Sequence, residues 1–187
     1  YYVRASCSVT DKSYWVGPFN FTSGCAAAMT GAYTVDKNAP ASATNFTSFT
    51  ALAANLSGCG ISGPVTVNVV ANSGPYDERF ALTQINGTSS TNTVTIAGNN
   101  NLLTWNATGT NERASVLLNG TDYVSISNLK IEGRNTTNSH GIHLLNGADY
   151  NETLIWNSPE DIQVKPFYHK DEFTGTSKSN TKATHFQ

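Results

Sequence analysis

The stretch "LLNGTDY" at 117–123 returns as "LLNGADY" at 144–150, with six of seven positions identical and an offset of 27 residues. Repetition at a period of 20 to 50 residues is the signature of stacked architectures, in which each unit buries its apolar side on the next. Around both copies the chain reads as short strands separated by turns, so the stacked unit is expected to be built of strands. In a parallel stack, equivalent residues lie above one another. Asn119 and Asn146 then form an amide pair at a bend, Asp122 and Asp149 recur one above the other, and Gly120 and Gly147 let the backbone turn through positive φ.

Working outward, "VTVNVV", "RFAL", "NTVTIAG", "NNLLTW", "ASVLLNG", "YVSISNLKIEG" and "GIHLLNG" are rich in β-branched residues and bounded by Asn/Gly turns. One segment differs. In "ATNFTSFTALAANLSG" the residues Phe46, Phe49, Ala53 and Leu56 fall on one helical face, with Thr44 as N-cap and Gly58 as stop. The expected fold class is therefore all-β, a right-handed parallel β-helix (β-solenoid) with a short N-terminal capping helix. The expected organisation is an extended lead-in over 1–40, the capping helix over 41–58, the β-helix over 59–150, and a non-solenoid segment with a flexible tail over 151–187. The last boundary rests on the repeat: adding 27 to Val124, Ile126, Leu129 and Ile131 reaches Asn151, Thr153, Trp156 and Ser158, three of which are polar.

Charged residues make up only 13% of the 187 residues against 39% hydrophobic ones, and the formal net charge is −2. That balance supports a core and gives no electrostatic reason for a nucleic acid partner. No apolar run approaches the roughly 20 residues that span a bilayer as a helix. The chain starts at Tyr1 without a signal-like segment and reads as a mature or excised product. Three cysteines, Cys7, Cys25 and Cys59, fit no zinc spacing. The expected bridge is Cys7 with Cys25, closing a short loop, against the alternative of three reduced thiols.

Asn-x-Ser/Thr sequons at Asn20, Asn45, Asn55, Asn86, Asn106, Asn135 and Asn151 are candidate N-glycosylation sites, and Asn119 sits in another that the amide pair would occupy. His140 and His143, three apart on a strand, are expected on opposite faces and so do not make a metal site. Asp77, Glu78 and Arg79 form the densest charged cluster, of which alternation lets Asp77 and Arg79 share a face. Trp15, Trp105 and Trp156 are candidates for stacking on sugars or for the core. No nucleophile, phosphate loop or redox motif is evident; no catalytic, metal or cofactor residues are assigned.

"YTV" followed by "ATNFTSFTALAANL", "GPVTVNVV", "GPYDERFAL", "NTVTIAG" and "VLLNGTDYVSISNLKIEG" resembles, over about 32–150, the start of secreted right-handed parallel β-helix surface and adhesin-like proteins of Bacteroidetes. The resemblance implies an extracellular, secreted or cell-surface protein with a structural or adhesive role and no catalytic residues. Over 152–173, "ETLIWNSPEDIQVKPFYHKDEF" instead resembles the N-terminal segment of methylmalonyl-CoA mutase, with Asp161 where that family has Gly; no activity or cofactor is carried over. The expected function is a structural or adhesive surface protein that forms a homo-oligomer or fibre through strand addition or solenoid ends, with glycans as further partners. The alternative is a carbohydrate-binding or polysaccharide-cleaving protein, a lyase or hydrolase.

Overall fold

The structure is a computed structural model that describes residues 2–17, 25, 27–137 and 139–151, together with the backbone of 152–156 and 182–186. The strands in chain order are β1 (Met29–Val35), β2 (Asn45–Phe46), β3 (Ile61–Val69), β4 (Tyr76–Asp77), β5 (Phe80–Thr83), β6 (Val94–Ala97), β7 (Leu102–Trp105), β8 (Ala114–Asn119), β9 (Val124–Ser127), β10 (Lys130–Gly133), β11 (His140–Leu145), β12 (Glu152–Trp156) and β13 (Lys182–Phe186). The helix α1 spans Phe49–Cys59, and a 3-10 turn spans Thr110–Glu112.

The strands form three sheets, ordered β13-β12-β9-β6-β3-β1-β2, β10-β7-β4 and β11-β8-β5. Each strand pair within them is parallel. Parallel neighbours cannot be joined by a tight hairpin, so each pairing reaches across a long connection. Register follows the apolar pattern. Val65 pairs with Val94 and Val94 with Val124, while Val67 pairs with Ile96 and Ile96 with Ile126. All six are at most 2% exposed. In β3 every second residue is buried and Ser62, Pro64, Thr66 and Asn68 face out, the period of a strand with one covered face. Burying each such Val or Ile contributes about 1.5–3 kcal/mol.

The helix belongs to the same core. Phe49, Leu52 and Leu56 are fully buried, and Phe49 packs on Tyr76 and Phe80 with ring centroids 5.1 Å away in both cases. Burial pushes the Tyr76 hydroxyl above its ordinary pKa, although Ser73 hydrogen-bonds it at 2.7 Å. These findings correct the expected right-handed parallel β-helix. The strands are short and fall into three small parallel sheets, closure into a solenoid is not shown, and a helix shares the core, so the class is α/β-like rather than all-β.

The helix starts later than its periodicity suggests. Asn45 and Phe46 are held extended by pairing with Thr34 and Val35 of β1, so Thr44 does not cap the helix. Ser48 does, its hydroxyl accepting from the Ala51 amide at 3.0 Å. Glu78 supplies a second cap from 29 residues away: its carboxylate accepts from the Phe49 amide at 2.9 Å, and from the Thr50 amide and hydroxyl at 2.8 and 2.6 Å. A negative charge there satisfies N–H groups that have no intrahelical partner and complements the helix dipole. Replacing Glu78 with Ala should cost about 2 kcal/mol in urea unfolding, and Glu78→Gln, which keeps one acceptor but loses the charge, should recover part of it. The helix runs past Gly58 to Cys59 and stops at Gly60, whose φ of 65° favours a residue without Cβ.

The disulfide joins Cys25 to Cys59, with Cα atoms 5.2 Å apart, and Cys7 is a free, exposed thiol. The expected Cys7–Cys25 bridge is therefore corrected. Met29 N–H donates to Gly60 O at 2.9 Å, so the chain entering β1 runs beside the end of α1 and brings Cys25 to Cys59. Within the lead-in expected over 1–40, Met29–Val35 is a strand inside the seven-stranded sheet, between β2 and β3. Beyond Tyr150 the pairing continues, with Glu152 opposite Ser125 and Thr153 opposite Ile126. Ladder hydrogen bonds join backbones, so a polar residue at position 153 does not end the sheet. Lys182–Phe186, expected in a flexible tail, pairs in parallel with β12. Most of the mutase-like segment, 157–173, lies outside the described residues.

Candidate functional site

The two copies of the heptad lie against each other without following one backbone path: Asn119 ends β8 opposite Leu145, while Asn146 lies past β11 with a φ of 53°. Asn146 Nδ2 donates to Asn119 Oδ1 at 2.6 Å, and the Asp149 amide donates to Asp122 Oδ1 at 2.7 Å. Gly120 and Gly147 have φ of 63° and 69°. Tyr123 and Tyr150 complete the series. Both have positive φ, 59° and 53°, which is costly for a bulky residue, and their rings stack at 5.0 Å and 4°. Tyr150 is 52% exposed, so the stack presents an aromatic face to solvent. The tyrosines were not singled out by the sequence reading, although the six-of-seven identity already contained them.

Elsewhere, where no repeat is visible in the sequence, buried asparagine amides hold backbone groups instead. Asn101 is 4% exposed; its Nδ2 donates to Val70 O and Gly98 O at 3.0 and 2.9 Å, and its Oδ1 accepts from the Gly74 amide at 2.8 Å. Two sequon asparagines have the same character. The Asn45 amide is used by Thr34, Asp36 and Pro40, and Asn151, 2% exposed, bonds the Val124 amide at 2.9 Å and Thr121 O at 2.7 Å. A glycan on either needs the fold to open locally. Asn55, Asn86 and Asn106 are exposed, while Asn135 is half-buried and donates to Ala107 O at 2.9 Å. Asn20 lies outside the described residues.

The charged cluster at 77–79 disperses in three directions. Asp77 accepts from Thr104 at 3.2 Å and pairs with Arg134 at 3.2 Å on the surface, a contact worth about 1 kcal/mol or less. Glu78 caps the helix. Arg79 Nε donates to Ala114 O at 3.2 Å and turns to a cleft of about 270 Å³ beside β8 and β11.

That cleft brings the two histidines together. Their ring centroids are 5.9 Å apart and nearly perpendicular, which corrects their expected placement on opposite faces. The alternation rule holds for a straight strand, but in the paired strand β8 the residues Ala114, Ser115 and Val116 are buried in succession, so strict inside–outside parity is already lost where the strand begins. Burial, then His140 and then Arg79, lower the His143 pKa below its ordinary 6.5. Among the described residues no group of three or more His, Cys, Asp or Glu is placed to hold a metal. Trp105 donates from Nε1 to Glu112 O at 2.7 Å and helps fix the 3-10 turn at the rim, while Trp15 is 59% exposed. Nothing is described of the Trp156 side chain.

Comparison with protein-family models, with curated proteins and with solved structures finds no match to this chain. Among the described residues no helix is long and apolar enough to cross a membrane.

Proposed function

We propose that the chain is an extracellular structural or adhesive surface protein that associates with further copies of itself through its N-terminal arm. The observation that carries this reading is the arm's surface. Antiparallel bridges at Val3–Val16 and Ser6–Lys12 fold residues 2–17 back on themselves, with the Arg4 guanidinium 4.4 Å from the Trp15 ring centroid. Tyr2, Tyr14 and Trp15 are 59%, 94% and 59% exposed, and Val3, Val9 and Val16 are exposed beside them. Monomers rarely leave so much aromatic and aliphatic surface in one segment without a partner. Open edges on β10 and β11, the last strands of their sheets among the described residues, give a two-stranded arm backbone groups to pair with. The Cys25–Cys59 bridge supports an oxidising compartment.

Sedimentation equilibrium of the full chain should show mass rising with concentration, and the double substitution Tyr14→Ser, Trp15→Ser should abolish the rise without changing the unfolding midpoint. A wild-type chain that stays monomeric at high concentration overturns the reading. A second reading, carbohydrate binding, is favoured by the stacked Tyr123 and Tyr150 rings, since an exposed aromatic face flanked by Asp and Asn suits a sugar ring. A blank glycan array removes it.

A further inference from the structure

The sheet β11-β8-β5 has one covered edge and one open edge. At β5 the helix provides the cover: the Thr83 amide donates to the Ser57 hydroxyl at 3.3 Å, and that hydroxyl donates to Thr83 O at 3.4 Å. A further strand cannot add there without displacing α1. At the opposite edge, among the described residues, β11 is the last strand and pairs only with β8. The His140 amide donates inward to Arg113 O at 2.8 Å, which turns the amide of the next residue, Gly141, to the outer side.

The arm belongs to the covered end. Cys25 is bonded to Cys59, which follows Ser57 by two residues, so the arm is tethered beside the edge that α1 closes. Tyr14 is 94% exposed, so the chain's own arm does not fill its own cleft. Among the described residues the Tyr14 and Trp15 amides make no hydrogen bond, which leaves this part of the arm able to donate to another strand. The cleft of about 270 Å³ opens beside β11, with Leu117 and Leu145 as apolar wall and Arg79 next to them. That volume lies near the small end of ligand pockets and suits one aromatic side chain. Leucine walls accept a tyrosine ring, and a guanidinium is attracted to its face.

An exposed aromatic group at one end of a molecule and a pocket that fits it at the other make a contact between unlike surfaces, which repeats without closing. We propose that copies of this chain join head to tail, the arm of one lying along the outer edge of β11 of the next, with Tyr14 between Leu117 and Leu145 and beside Arg79. This rests on the self-association reading above and gives it a direction. The arm supplies backbone donors and an aromatic anchor, and the cleft fixes where the anchor sits. Each added copy still offers its own β11 edge, so the assembly grows as a filament and does not stop at a two-fold dimer.

The test uses two variants that each keep one half of the contact. The double substitution Tyr14→Ser, Trp15→Ser loses the anchor and keeps the cleft, whereas Leu145→Arg fills the cleft and keeps the arm. In sedimentation equilibrium the wild type should reach masses beyond a dimer, and each variant alone should associate at least about tenfold more weakly. An equimolar mixture of the two should form a 1:1 dimer and nothing larger, because a single intact arm meets a single intact cleft. Gly141→Pro removes the outward N–H at a position with open space for a side chain, and should weaken association with an unchanged unfolding midpoint. Where Leu145→Arg lowers that midpoint, Gly141→Pro replaces it in the mixture. Cleft and edge variants that associate as the wild type does, or a mixture that stays monomeric, overturn the head-to-tail contact and leave self-association through another surface standing. A wild type that stops at a dimer overturns the filament, and a wild type that stays monomeric overturns both readings.

Discussion

Replacing Cys59 with serine should lower the unfolding free energy by about 4 kcal/mol, the loop-closure entropy expected for a bridge between residues 34 apart. The bridge fastens the segment entering β1 to the last turn of α1. Without it, the unfolded chain regains the freedom that the loop had removed, and the N-terminal arm loses its covalent tether to the core. Urea unfolding under non-reducing conditions measures the effect. Cys25→Ser should give the same loss, the double variant no more than either single one, and Cys7→Ser almost none, since Cys7 is exposed and unbridged. If Cys7→Ser proved as damaging as Cys59→Ser, the pairing would be the short loop expected from spacing. Treating the wild-type chain with a reductant should reproduce the single-variant midpoint, which separates the bridge from any local effect of serine.

That contrast shows where sequence reasoning stops. Strand positions were legible because β-branched residues alternate or cluster over short runs bounded by Asn and Gly, as in Ile61–Val69 and Val94–Ala97. The repeated heptad was legible because identity at fixed spacing survives without knowledge of the fold; Asn119 and Asn146 do meet, at 2.6 Å. What escaped were features decided by residues far apart in the chain. Spacing favoured Cys7–Cys25, but Cys59 reaches Cys25 only because β1 pairs with β3. Periodicity placed a cap at Thr44, but pairing with β1 holds Asn45 extended, and the helix takes its charge from Glu78. Strand parity separated His140 from His143, but burial does not alternate where β8 begins, and the rings lie 5.9 Å apart. The fold class failed for a related reason. A 27-residue recurrence of strands fits a solenoid, yet recurrence reports parallel neighbours and does not by itself close them, and it cannot say that a helix will share their core.

Phe49→Ala should be the most damaging single substitution outside the disulfide, at about 3–5 kcal/mol. Phe49 sits where three kinds of support converge. Its amide is one of the groups held by Glu78, its ring is fully buried, and it packs edge-on to Tyr76 and tilted against Phe80. Aromatic pairs of this geometry contribute about 0.5–1.5 kcal/mol beyond the area they bury. Removing the ring leaves a void between α1 and the β4–β5 region that rigid neighbours on two sides cannot fill. Phe49→Leu, which keeps apolar volume but loses both ring contacts, should cost less, so the difference between the two variants measures the void. Because the backbone amide survives either change, adding Glu78→Ala to Phe49→Leu tests whether cap and core act together. A combined loss well short of the sum would mean that Glu78 serves mainly to seat the Phe49 ring; additivity would mean that the cap stabilises the helix whatever packs beneath it.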